Sequence, residues 1–253
     1  MKVVSFSIFK GGTGKTTSTV STAAALVKKG KRVLLVDLDQ QASATRYLDL
    51  DPEGNPSLYD VFLGTKSAQA AIKHTKFGID VLPSHLLLAA IDEALEPGDE
   101  QKLAALLTPL KPEYDFILID TPPGKAMLAF NGLAAADLIV IPASAERMAV
   151  DGVADLITHV QKIMWSKFAL NHQELRILFT MYRATTSHSP TVFENARKIW
   201  RDNVLNVKIP HATLFSRSYD EKTPIGFLDP KAPGALAYDR FADWLIDNSH
   251  EAA

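Results

Sequence analysis

An apolar run over residues 2–8 leads straight into Gly11-Gly12-Thr13-Gly14-Lys15-Thr16, and a helical pattern over residues 16–29, stopped by Gly30, follows at once. Strand, glycine loop and helix in that order make a phosphate-binding P-loop. Glycines let backbone N–H groups converge on phosphate oxygens, because no Cβ obstructs the approach. The amino end of the helix adds partial positive charge. Lys15 is expected to reach the β- and γ-phosphates, and the Thr16 hydroxyl to ligate Mg²⁺.

A loop of this kind needs a sheet behind it, and the rest of the chain supplies strands. Residues 32–38 (RVLLVDL), 80–83, 116–120 (FILID), 138–142 (LIVIP), 175–180 (LRILFT) and 204–209 read as strands. Helical patterns cover 100–108 and 235–248, and the turn formers of 49–57 read as a loop. Continuous apolar strands alternating with helices predict an α/β fold, doubly wound, with a mostly parallel sheet and helices on both faces. No repeat or linker interrupts the chain, so one domain over residues 1–253 is expected.

The metal needs a second ligand. Asp120 ends the apolar strand FILID, the place for a Walker B carboxylate that holds Mg²⁺ through water. Asp37 and Asp39 end the second strand, and alternation sets both on one face. Either could orient an attacking water, and Asp39 is favoured because it lies further out. Trp165, Trp200 and Trp244 read as core or helix-packing residues.

Lys10 is left over, since a P-loop does not require it. With it, residues 10–17 (KGGTGKTT) resemble the signature of the ParA/MinD family of deviant Walker ATPases. VDLDQQ at 36–41, DTPP at 120–123 and Asn131, Leu133 and Asp137 before LIVIP are similar to further family segments, as are LFTMYRATTSHS and IPHATLFSRSYDEKTPI. The resemblance runs from about residue 2 to about residue 245 and favours the ParA branch. It departs at Gln40, where the family usually has proline, and at Ala42, where it usually has glycine. The chain starts at the P-loop strand, so the expected form is the small one, without an amino-terminal helix-turn-helix.

The resemblance implies a homodimer that sandwiches two ATP molecules. Lys10 would reach the partner's nucleotide, and residues 10–17 (Lys10, Gly11, Gly12, Thr13, Gly14, Lys15, Thr16 and Thr17) would bind ATP. Met181 and Pro210, beyond two late strands, would contact adenine. Catalysis would rest on Lys10, Lys15 and Asp39, and Mg²⁺ on Thr16 and Asp120. The family further implies nonspecific DNA binding and a ParB-like or analogous adaptor that stimulates a weak ATPase. Residues 156–219 carry nine Lys/Arg against three acids in a chain of net charge −2, an uneven distribution that suits sequence-independent phosphate contact. Arg183, Arg197, Lys198, Arg201 and Arg217 are the candidate DNA contacts. Segregation of plasmid or chromosomal DNA is the expected task. Positioning of a protein cargo is the alternative, and a MinD-like membrane regulator a weaker one.

Composition removes other branches. The chain has no cysteine, which excludes disulfides, thiolate clusters and cysteine nucleophiles. The last helix and tail hold one arginine and four acids, so anionic lipid would repel them and no stable membrane association is expected. No apolar run approaches the ~18 residues of a membrane span, and no signal-peptide pattern is present. A cytoplasmic, nucleoid-associated protein is the expectation.

Overall fold

The computed structural model describes residues 1–145, 149–165 and 173–249. Among the described residues, eight strands form one sheet: β1 (Lys2–Phe6), β2 (Val33–Asp37), β3 (Lys73–His74), β4 (Asp80–Leu82), β5 (Phe116–Asp120), β6 (Leu138–Ser144), β7 (Glu174–Tyr182) and β8 (Val204–Pro210). Their order is β3-β4-β2-β5-β1-β6-β7-β8, and only β3 is antiparallel to its neighbour. The expected strands are all present, with ends shifted by one or two residues. β3, a two-residue edge strand, carries no sequence pattern of its own.

The period of two sorts the central strands between two cores. In β5, Phe116 and Leu118 join one apolar cluster while Ile117 and Ile119 join another. In β2, Val33 and Leu35 pack on the first side and Leu34 and Val36 on the second. The first face is closed by the P-loop helix Lys15–Lys28, through Val20 and Leu26, and by the last helix Pro233–Asp247, through Tyr238, Phe241 and Leu245. The opposite face is closed by shorter helices, among them Met127–Ala134 and, near β6 and β7, Ala149–His159 and His188–Trp200. Trp244 is half-buried and stacks on Phe241 at 6.0 Å, as expected for a packing residue, and Trp200 packs against a further apolar cluster that includes Ile139, Ile177 and Phe193. The side chain of Trp165 and all of Lys167 lie outside the described residues.

The Asn131–Asp137 segment is structural. The Val3 N–H donates to Asp137 Oδ2 at 2.7 Å, tying β1 to the start of β6. Asn131 is buried, and its Oδ1 accepts from the Leu103 N–H at 3.0 Å. Next to it, Gly132 lets its helix lie close on the sheet. A Cβ there would fall 2.7 Å from Thr121 Cγ2 and 3.0 Å from Leu38 Cδ1. Gly132→Ala is therefore expected to lower stability by about 1–3 kcal/mol through overpacking, read as a reduced urea midpoint at unchanged slope.

Candidate active site

All parallel strands end on one side of the molecule, and ligands of open α/β sheets bind beyond those ends. β1 lies between β5 and β6, so the loop that leaves it emerges at the centre of that edge. Gly12 (φ 70°) and Gly14 (φ 87°) take left-handed backbone that L side chains rarely adopt. Gly14 is the residue before the P-loop helix, and no side chain caps that end. Among the described residues no side-chain cap meets the first-turn N–H groups, and no acidic residue occupies the turn. A helix start of this kind is suited to an anion.

Two further bonds hold the loop. The Thr180 hydroxyl, near the end of β7, donates to Thr13 O at 2.8 Å. The Gly124 N–H, in the loop after β5, donates to Phe9 O at 2.8 Å. Lys15 is buried, and its Nζ donates to Lys10 O at 3.2 Å. That contact folds the ammonium back over the loop. Lys10 itself is exposed, and its side chain forms no hydrogen bond or ion pair among the described residues. Two lysines five positions apart therefore do opposite things: one is enclosed, and the other points its charge away from its own chain.

Asp120 is fully buried at the end of β5. It accepts from Thr16 Oγ1 at 2.7 Å and from Thr19 Oγ1 at 3.2 Å. A hydroxyl and a carboxylate held edge to edge at the head of the helix are the oxygen donors Mg²⁺ prefers. Thr16 and Asp120, expected to share a metal, are thus brought together. Thr19 was not singled out in the sequence, although its i+3 spacing from Thr16 sets it on the same helix face.

Asp37 lies beside Asp120 in the β2–β5 register and is equally enclosed. Its carboxylate accepts from the Thr45 N–H and hydroxyl, both at 2.8 Å, and from the Asp39 N–H at 3.2 Å. Spent on these donors and shut off from solvent, Asp37 anchors the turn that follows β2. Asp39 is half-buried and is the one of the pair with access to water. Its Oδ1 accepts from the Gln41 N–H at 2.9 Å, and Ser84 Oγ donates to its carbonyl at 2.6 Å. Ala42 sits in left-handed backbone (φ 52°). The departure from glycine there thus falls on a position where glycine would be unstrained.

Three carboxylates and one ammonium share this small volume. Burial, then the nearby Asp37, pushes Asp120 up to about 8, against the Thr16 bond and Lys15. Burial pushes Asp37 up to about 7, against the Thr45 bonds. Asp39 is raised by burial, against the Gln41 bond and Lys15. Lys15 is lowered by burial, and Asp120 and Asp39 oppose the shift. The protein alone is therefore short of positive charge for these carboxylates.

Beside the P-loop lies a cavity of about 480 Å³, lined by Gly14, Thr17, Thr180, Met181, Pro210 and Phe215 among others. The two residues expected at the base, Met181 and Pro210, thus meet at one cavity wall next to the phosphate loop. Met181 is left-handed (φ 51°), a backbone state that turns the chain sharply as β7 ends.

The structure divides the five candidate DNA contacts. Arg183 follows β7, Arg217 lies in the helix Leu214–Asp220 after β8, and both stand at the nucleotide end of the sheet. Arg183 hydrogen-bonds His211 at 3.1 Å, and Arg217 pairs with Glu221 at 2.6 Å. Arg197, Lys198 and Arg201 lie where the helix His188–Trp200 ends before β8 begins, at the other end of the sheet. Sequence counting placed all five in one basic segment, but an intervening helix carries three of them a strand length away.

Raised carboxylates make the nucleotide-free protein sensitive to pH. Unfolded, both aspartates ionise near 4; folded, they resist ionising until about 7 to 8. Their contribution to stability is full below pH 4 and is lost as pH rises towards 8. Asp120→Asn should therefore raise the melting temperature of nucleotide-free, magnesium-free protein at pH 8 by roughly 3–6 °C. The gain should shrink as pH falls to 5, and a gain independent of pH would refute the charge origin.

Known proteins resemble this chain along nearly its whole length. A sequence family described as an AAA domain matches residues 1–176. The sporulation initiation inhibitor protein Soj of Bacillus subtilis is 34% identical over 241 residues, which cover 94% of this chain and 95% of that protein. The chromosome-partitioning ATPase Soj of Treponema pallidum is 32% identical over 240 residues, 94% of each. Among solved structures, cobyrinic acid a,c-diamide synthase from Mycobacterium smegmatis with bound ADP and magnesium superposes with a TM-score of 0.86 at 31% identity, covering 100% of this chain and 97% of that one. The septum site-determining protein MinD of Pyrococcus horikoshii with Mg-ADP gives 0.82 at 28% identity, covering 100% and 98%. Likeness in sequence and in fold over the same span makes this chain a member of the ParA/MinD family of P-loop ATPases, which work with ATP and Mg²⁺.

Proposed function

We propose that this ATPase switches between monomer and ATP-bound dimer, that the dimer holds nonspecific DNA, and that a partner protein stimulates slow hydrolysis to release it. DNA segregation is then the task, in keeping with the chromosome-partitioning relative. The observation that carries the reading is Lys10: a cation at the phosphate loop with no partner among the described residues of its own chain. An ammonium so placed can neutralise a triphosphate held by a second subunit, which makes dimerisation depend on the γ-phosphate.

Within each subunit, residues 11–17 bind the phosphates and Lys15 contacts the β- and γ-groups. Met181 and Pro210 border the base, with the cavity beside Gly14 and Thr17 supporting that role. Thr16 and Asp120 fit Mg²⁺, as their 2.7 Å contact brings a hydroxyl and a carboxylate together. Magnesium, when bound, neutralises charge on the phosphates. Asp39 orients the attacking water, supported by its access to solvent beside Lys15. The 1–253 chain acts as one ATPase domain.

For DNA, Arg183 and Arg217 are the better candidates, because they share the nucleotide end and would be set by dimer geometry. The Arg217–Glu221 pair is exposed and of i,i+4 type, a weak contact that a phosphate can displace.

Three variants test this. Lys15→Ala should abolish ATP binding in calorimetry. Lys10→Ala should keep most ATP affinity yet stay monomeric with ATP and Mg²⁺ in light scattering; a normal dimer would end the cross-subunit role. Arg217→Glu should flatten the slope of log affinity against log salt for random-sequence DNA by about 1 per protomer contact. An unchanged slope would remove Arg217 from the DNA surface.

A further inference from the structure

The end of the sheet remote from the nucleotide carries a basic cleft that the ATPase reading does not use. A cavity of about 210 Å³ opens where β7 and β8 begin, lined by Arg176, Arg197, Arg201, Asp202, Asn206 and Trp244. Arg176 and Arg201 also line a neighbouring cavity of about 340 Å³, with Ile199 and Trp200. Arg176 is a fixed wall: it pairs with Glu174 at 3.3 Å and lies 5.8 Å from the Trp244 ring centre. Lys2 takes the other oxygen of Glu174 at 3.5 Å. The carboxylate of Glu174 is thereby occupied.

Arg197 and Arg201 are different. Both are exposed, and neither guanidinium makes a hydrogen bond or ion pair among the described residues, although that of Arg197 lies 5.8 Å from the Phe193 ring centre. Lys2, Arg176, Arg197 and Arg201 outnumber Glu174 and Asp202 by two charges. The backbone of Arg201 adds an independent sign. It ends the helix His188–Trp200 at φ 47°, ψ −118°, a conformation that suits glycine and strains any L side chain. An arginine is held there, with its side chain on both cavities, where a glycine would relieve the backbone.

We propose that this cleft is a docking site for an acidic peptide segment of a partner protein, a carboxylate side chain flanked by an apolar one. The two guanidinium groups without an ion-pair partner among the described residues suit a carboxylate, which arginine binds in a planar, two-bonded fork. Trp244, Trp200 and the exposed Ile199 give apolar walls for the flanking residue. Asn206 offers an amide for peptide backbone. Duplex DNA fits less well: the space holds side chains rather than a run of phosphates, and Asp202 stands in its lining. The site is independent of nucleotide, since P-loop and base cavity lie at the opposite strand ends.

Fluorescence anisotropy tests this on the full chain with a fluorescein-labelled peptide alternating glutamate and leucine, its glutamine counterpart, and a labelled random-sequence DNA duplex. The glutamate peptide should bind saturably and the glutamine peptide at least tenfold more weakly. Arg197→Gln and Arg201→Gly should each weaken the glutamate peptide roughly tenfold, the loss expected for one charge-assisted contact. Both variants should keep ATP turnover, and Arg201→Gly should melt no lower than the parent, because glycine accepts that backbone. Absence of binding, equal binding of the two peptides, or full affinity in both variants would overturn the proposal. So would duplex DNA binding that both variants weaken while the peptide is unaffected, which would make the cleft a nucleic-acid surface.

Discussion

A carboxylate with no water around it needs compensation, and the whole edge of the sheet is arranged about that need at Asp120. Its position is set by the apolar strand β5, which has nowhere to go but through the core. Two hydroxyls from the P-loop helix meet it, and the charge of Lys15 acts on it. Hydroxyl donors alone do not offset burial, which is why the group stays raised. A divalent cation bound between Thr16 and Asp120 would remove the imbalance. The metal is in this sense part of the structure's charge balance, and the protein by itself holds only part of it.

Much of this was legible in the sequence because it is local. The P-loop is contiguous, and its glycines are required by its backbone. Apolar runs as undiluted as FILID belong to strands buried on both faces, so β5 and the aspartate that ends it could be placed without any tertiary information. Met181 and Pro210 could each be set beyond a strand end, where ligands of parallel sheets bind, but their role at the base came from the family resemblance. Thr45 could not be connected with Asp37, nor Ser84 with Asp39, because each bond joins a loop to a strand through a turn whose course no periodicity records. Nothing in an alanine itself announces positive φ, and only the family's usual glycine at position 42 pointed to the left-handed backbone there.

The basic residues show a second limit. A window of sequence sums charge, but a helix of 13 residues between two parallel strands returns the chain to the starting edge. Residues before the helix therefore face nucleotide, and those at its end face the opposite solvent. Arg183 and Arg201 are near in sequence yet stand at opposite ends of the sheet. One excess of charge in the sequence thus becomes two separate surfaces, and each requires its own chemical argument. Arg197 and Arg201 stand at a cleft with mixed charge and aromatic walls, apart from Arg183 and Arg217.

Lys10 and Lys15 bring the same lesson to a single loop. Both are lysines, five residues apart, in a stretch whose glycines leave the backbone no side chains to screen it. The helix start fixes Lys15 inside, where carboxylates and any bound phosphates can use its charge. Lys10 precedes the tight turn at Gly12, so its side chain leaves the surface while its carbonyl stays behind to accept from Lys15. Moving the Lys10 ammonium inward would set it against Lys15 and break that contact. Its exposed charge is left for something outside its own chain, which is what the proposed cross-subunit role asks of it.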